Sequence, residues 1–331
     1  MNKVKTIWKK LIYFIKNNQQ WVGFFVIVIA LIYAFFHVFY EPRHIVNDIF
    51  YILFMILLIY GLYHAFHIEK SEMKIIKFIN LDALFIIFSV FSTYSIVHFF
   101  SISAVLASSF IGILGYFLFR KYEVPIYCGS FAGMVSIALF NYYEVGILAI
   151  LCAFIFLLTK PLFVGYGGKL GTIAFLSSLI TLSIFDKEYL IISGDTSLFI
   201  VIAVSLVSII STFYLIQKLH ISPVFSSALL SFIFALFINI FFLNYISYSF
   251  IFFAASFIGM SNKERLPNIF FVILSGLIFG TIYDIFLEYF HGLGGKLGLM
   301  ALMTVVITSG ISNLYHFNKK NNRNRRNENG N

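Results

Sequence analysis

Gly167-Gly168-Lys169-Leu170-Gly171 and Gly294-Gly295-Lys296-Leu297-Gly298 are the same five residues, met twice in one chain. A second pair precedes them in the same order, Ser130-Phe131-Ala132-Gly133-Met134 and Ser256-Phe257-Ile258-Gly259-Met260. The distance from the first string to the second is 37 residues in one copy and 38 in the other. A weaker echo, Ile102-Ser103-Ala104-Val105 against Ile221-Ser222-Pro223-Val224, lies further upstream. Three ordered echoes at an offset of roughly 120 to 127 residues point to an internal duplication. Duplication in a membrane protein is the common plan of transporters and channels.

Composition places the duplication in a bilayer. Sixty per cent of the residues are hydrophobic, 11% are charged, and the mean hydropathy is +0.94. Soluble domains carry about 25% charged residues. Apolar runs near the ~20 residues needed to cross a bilayer recur from Trp21 to His316. A soluble chain of this length would have to enclose more apolar surface than one core holds.

The net charge of +9 is concentrated at the ends: Lys3, Lys5, Lys9, Lys10 and Lys16 before the first run, Lys319, Lys320, Arg323, Arg325 and Arg326 after the last. Basic residues in such places anchor the cytoplasmic side against anionic lipid, so the lipid bilayer is the expected partner and nucleic acid is not. Cys128 and Cys152 fall in apolar runs, which predicts neither a disulfide framework nor a zinc site. The first apolar run is about 20 residues long and lacks a small-residue cleavage site, so it reads as a true span rather than a signal peptide.

Twelve crossings are expected, near 21–40, 49–68, 83–100, 103–119, 125–140, 146–163, 172–185, 198–216, 224–242, 247–260, 269–287 and 299–316. With both termini in the cytoplasm, 20 of the 23 Lys and Arg fall inside, and only Arg43, Lys187 and Lys296 outside. Eleven spans would split the two basic termini across the membrane. The fold class is therefore an all-α polytopic protein of the cell membrane with about 12 transmembrane helices, two N-terminal helices plus a 5+5 inverted-topology repeat. Its parts are a cytoplasmic amphipathic N-terminus (1–20), a two-helix hairpin with its cytoplasmic loop (21–80), a first five-helix repeat (81–190), a second (191–317) and a basic disordered tail (318–331). An odd number of crossings per copy turns the second copy over relative to the first. That relation suits alternating access, and equally a symmetric pore.

In each Gly-Gly-Lys-Leu-Gly string a glycine-rich strand enters a helix, offering unpaired backbone N–H groups, the positive end of a helix dipole and a lysine. Gly167, Gly168, Lys169, Gly294, Gly295 and Lys296 are the candidate solute-binding residues; an interfacial turn with a snorkelling lysine is the structural alternative. Ser130 and Ser256 offer hydroxyls to a solute, although the small residues beside them (Gly129 and Gly133, Ala255 and Gly259) also suit close helix packing. Asp284, Glu288 and His291, at i, i+4 and i+7, are the candidate ion-coupling residues on one face of the eleventh span. The eight histidines are too scattered for a metal enzyme, and no Walker, G-x-S-x-G or H-E-x-x-H motif occurs.

Three functions are compatible with this pattern. The foremost is a secondary transporter or facilitator for a small solute, with the lysines suiting an anionic one. The others are a passive channel for a small neutral solute and a flippase or envelope-assembly factor acting on a lipid-linked substrate. The first needs neither enzymatic chemistry nor a cofactor, and a homo-oligomer is compatible with it.

Overall fold

A computed structural model describes residues 19–39, 45–69, 81–192, 196–242 and 247–328. It is 80% helical, and no strand occurs among the described residues. Among the described residues twelve α-helices follow in order: α1 (Gln19–Phe39), α2 (Ile45–Glu69), α3 (Leu81–Phe100), α4 (Ala104–Leu118), α5 (Glu123–Ala132), α6 (Tyr142–Thr159), α7 (Lys169–Ile184), α8 (Leu198–Leu219), α9 (Pro223–Phe241), α10 (Ser247–Gly259), α11 (Ile269–Phe286) and α12 (Lys296–Glu328). Seven of them, α1, α3, α6, α8, α9, α11 and α12, are long and apolar enough to cross a membrane; α2, α4, α7 and α10 carry shorter apolar stretches. The amphipathic N-terminal segment, Arg43, His44 and most of the loop ending at 80 lie outside the described residues.

Local chemistry sets the helix ends, and it recurs at matching positions. Ser103 caps α4 by accepting from the Leu106 N–H, and Ser222 caps α9 by accepting from the Phe225 N–H. Asn141 accepts from the N–H groups of Tyr143 and Glu144 at the start of α6, and Asn268 from those of Phe270 and Phe271 at the start of α11. Contacts between helices match in the same way. Ser89 donates to the Ile126 carbonyl, tying α3 to α5, and Ser208 donates to the Phe252 carbonyl, tying α8 to α10. The Ser136 N–H bonds to the Gly292 carbonyl at 2.9 Å, and the Asn262 N–H to the Gly165 carbonyl at 3.1 Å.

The two glycine-lysine strings meet at the centre of the molecule. α7 and α12 cross with Gly171 against Gly298, so close that a Cβ on Gly171 would sit 2.5 Å from the Gly298 Cα. On either side of that point Gly168 abuts the Gly298 carbonyl and Leu302, while Gly295 abuts the Gly171 carbonyl and Phe175. Gly168 and Gly295 also hold left-handed backbone, at φ 89° and 81°, which side-chain-bearing residues seldom adopt. Among the seven long apolar helices α12 is the most enclosed, with 78% of its apolar window buried, while α3 and α8 at 28% lie on the outside.

Two expectations are corrected. The fifth span, expected over 125–140, is a helix only to Ala132, ten residues and about 15 Å. There the Met134 N–H turns back to the Phe131 carbonyl and the Ser136 N–H goes to Gly292, so the backbone gives its bonds to another segment instead of continuing the helix. The tail expected to be disordered is helical to Glu328. No proline or glycine interrupts it before Gly330, and extending an established helix is far easier than starting one.

Candidate functional site: two cavities and a phenylalanine pair

Two cavities open from the helix crossing. One, of about 470 Å³, is lined by Lys296 and Gly295 together with His291, Tyr283 and a set of phenylalanines. The other, of about 390 Å³, is lined by Lys169, Gly167 and Gly168 together with Lys160, Tyr166 and Glu123. Their walls correspond position by position: Phe290 and Phe163, Gly292 and Gly165, Lys296 and Lys169, Leu297 and Leu170, Met134 and Met260. Phe131 and Phe257 line both. Their rings meet at a centroid distance of 4.7 Å, so this pair is the shared floor of the two cavities. Tyr127 and Phe253, one turn back on α5 and α10, support the pair at 4.3 and 4.7 Å.

The two lysines are held alike. Lys169 Nζ donates to the Lys160 carbonyl at 2.9 Å, and Lys296 Nζ donates to the Leu287 carbonyl at 3.2 Å; each acceptor lies nine residues upstream, near the end of the preceding helix. Each lysine thereby closes the turn that brings its glycines to the crossing. The His291 ring also bonds to the Leu287 carbonyl. Burial, aided by the Lys296 charge, holds the His291 imidazole below the usual histidine range; the bond to Leu287 opposes this.

The cavities differ in charge. Among the described residues, Glu123 is the only carboxylate lining either of them; it accepts from Ser222 Oγ at 2.9 Å. Lys160, in the same cavity, pairs with the buried Asp82 at 2.5 Å. Among the described residues, no acid lines the Lys296 cavity.

The remaining residues expected at the site lie elsewhere. Gly294 is buried behind the larger cavity, against the carbonyls of Phe131 and Ala132. Ser130 and Ser256 line neither cavity. Ser130 bonds to Ser108 and to the Tyr127 carbonyl, both at 2.8 Å; Ser256 bonds to Ser227 and to the Phe253 carbonyl, both at 2.7 Å. They hold α4 to α5 and α9 to α10. Asp284 and Glu288 are exposed and line neither cavity. α11 ends at Phe286, so the i, i+4, i+7 face breaks before Glu288. His291 instead forms an antiparallel bridge with Leu190, 3.0 Å in each direction.

Sequence reasoning passed over Phe131 and Phe257, although both stand inside the duplicated Ser-Phe-x-Gly-Met string. It also passed over two ion pairs, Asp82 with Lys160 and Glu144 with Lys187, which join residues 78 and 43 positions apart. Set against protein-family models, curated proteins and solved structures, the chain finds no match.

Proposed function

We propose that this protein is a membrane transporter or facilitator that passes a small solute between the Lys169 and Lys296 cavities, through the Phe131–Phe257 pair. The observation that carries this reading is the shared floor: two cavities with matching walls, each with its own lysine, separated by one pair of rings. A path of that form has two ends and one closed centre, which alternating access requires.

In this reading α3–α7 and α8–α12 are two five-helix halves related by an axis in the membrane plane. The matched caps, the matched serine bonds and the Gly171–Gly298 crossing support it. All twelve helices then belong to the membrane domain, with α5 and α10 reaching only part of the way across. Both basic termini and the Lys169 cavity face the cytoplasm, and the Lys296 cavity faces out, as the placement of Lys and Arg favours. The closed ring pair favours a carrier over a standing pore.

Reconstituted protein in liposomes, followed by stopped-flow light scattering with urea, glycerol, sodium formate and sodium acetate, tests the proposal. Protein-dependent, saturable entry of at least one osmolyte is expected. The Phe131→Ala/Phe257→Ala variant should turn that entry fast and non-saturating, because the floor is gone. A folded double variant as impermeable as empty liposomes to all four refutes the path.

A further inference from the structure

The Lys296 cavity has the makings of a binding site in its own right. Its walls include Phe250, Phe253, Phe286 and Phe290, with Phe257 at the floor, so most of what a ligand would touch is apolar and much of it is aromatic. Among the described residues, Lys296 and His291 are its only lining residues able to carry positive charge, and none carries a negative one. Both draw on the Leu287 carbonyl, which fixes the ammonium at one spot. That bond uses one of the three ammonium hydrogens. The Lys169 cavity lacks this imbalance, because Glu123 lines it and Lys160 there is already paired with Asp82.

An ammonium in an apolar, phenylalanine-rich cavity, with no acid lining it among the described residues, favours an anion and repels a cation. The walls narrow the class further. Phosphate or sulfate would exchange a full hydration shell for ring faces, whereas a carboxylate on an apolar body would meet the lysine at one end and the rings at the other. A single fixed positive charge matches a single negative one.

We infer that the Lys296 cavity binds a small organic monoanion, its carboxylate on Lys296 Nζ and its apolar body against the phenylalanine wall. The inference rests on the reading of this cavity as one end of the solute path, and it names the class of solute.

The test is calorimetric titration of the full-length protein in lipid nanodiscs with sodium benzoate, benzamide and benzylamine, which share a shape and differ in charge. Benzoate should saturate one site at least about tenfold more tightly than either of the others, since only it gains a charge-assisted bond. Lys296→Met should bring benzoate down to the level of benzamide, and Lys296→Arg should retain the preference. Equal binding of benzoate and benzamide, or full benzoate binding in a folded Lys296→Met protein, overturns the inference. If Lys296→Met does not fold, the three-ligand comparison on the unaltered protein decides alone. Benzoate binding without protein-dependent flux supports the site and removes the transport reading; flux of a neutral osmolyte without benzoate binding does the reverse.

Discussion

Replacing Gly171 with alanine should destabilise the protein by forcing α7 and α12 apart. The added Cβ would lie 2.5 Å from the Gly298 Cα, 3.0 Å from the Gly298 nitrogen and 3.2 Å from the Gly295 carbonyl oxygen. Carbon atoms in contact settle near 3.5 Å or beyond, so the shortfall is about 1 Å. All three obstructing atoms are backbone, and no side chain can swing away to absorb it. Overpacking of this kind costs about 1–3 kcal/mol, which outweighs the roughly 1 kcal/mol that alanine gains over glycine inside a helix. Gly146 in α6 is the control. A Cβ there meets only the Phe91 ring, at an ordinary 3.6 Å, so Gly146→Ala should be neutral or stabilising by up to about 1 kcal/mol. Thermal unfolding of both variants in one detergent compares them directly, and Gly171→Ala should melt below the wild type with Gly146→Ala at or above it. Solute entry should fall with Gly171→Ala as well, because the same crossing positions both lysines. Equal melting of the two variants would refute the claim that this backbone contact organises the centre.

Two further predictions concern charge. Glu144 receives the Asn141 N–H and both bonds from Lys187, at 2.7 and 2.8 Å, and so ties the connection after α7 to the start of α6. Glu144→Ala should cost about 2 kcal/mol in a denaturation titration, since it leaves Lys187 only the Leu139 carbonyl and removes the carboxylate half of the α6 capping box. The lowered affinity of His291 for protons has a defined sign. The unfolded chain takes up that proton near pH 6.5 before the folded one does, so stability is lost as pH falls below about 6.5. Melting measured from pH 7.5 to 5.5 should show this loss, and His291→Gln should reduce it.

The sequence was most informative where α7 and α12 cross. The duplicated glycine-lysine string marks the positions at which α7 and α12 cross, because only glycine tolerates a neighbouring backbone at Gly171 and left-handed backbone at Gly168. Hydrophobic runs located the helices well, since each needs an apolar face whatever its partner. They failed at the fifth, where Val135 to Phe140 look apolar but the backbone bonds to Gly292, a pairing 156 residues away that no local pattern records. Helical periodicity set Glu288 and His291 on the face of Asp284, but α11 stops at Phe286, so those two leave that face. The phenylalanine pair stayed hidden among 43 phenylalanines, because a ring shared by two cavities and a ring on the outer surface look alike in sequence. Ser130 and Ser256 drew notice for their hydroxyls, yet those hydroxyls are spent on neighbouring helices.

The central claim is that the two lysine-bearing cavities open on opposite faces of the membrane. Single cysteines at Val164 and His291, matched positions in the two cavities, test it in a background with the buried Cys128 and Cys152 replaced. A membrane-impermeant maleimide applied to intact cells should label the His291→Cys protein, and should reach the Val164→Cys protein only after the cells are opened. Labelling of both from the same side would contradict the account.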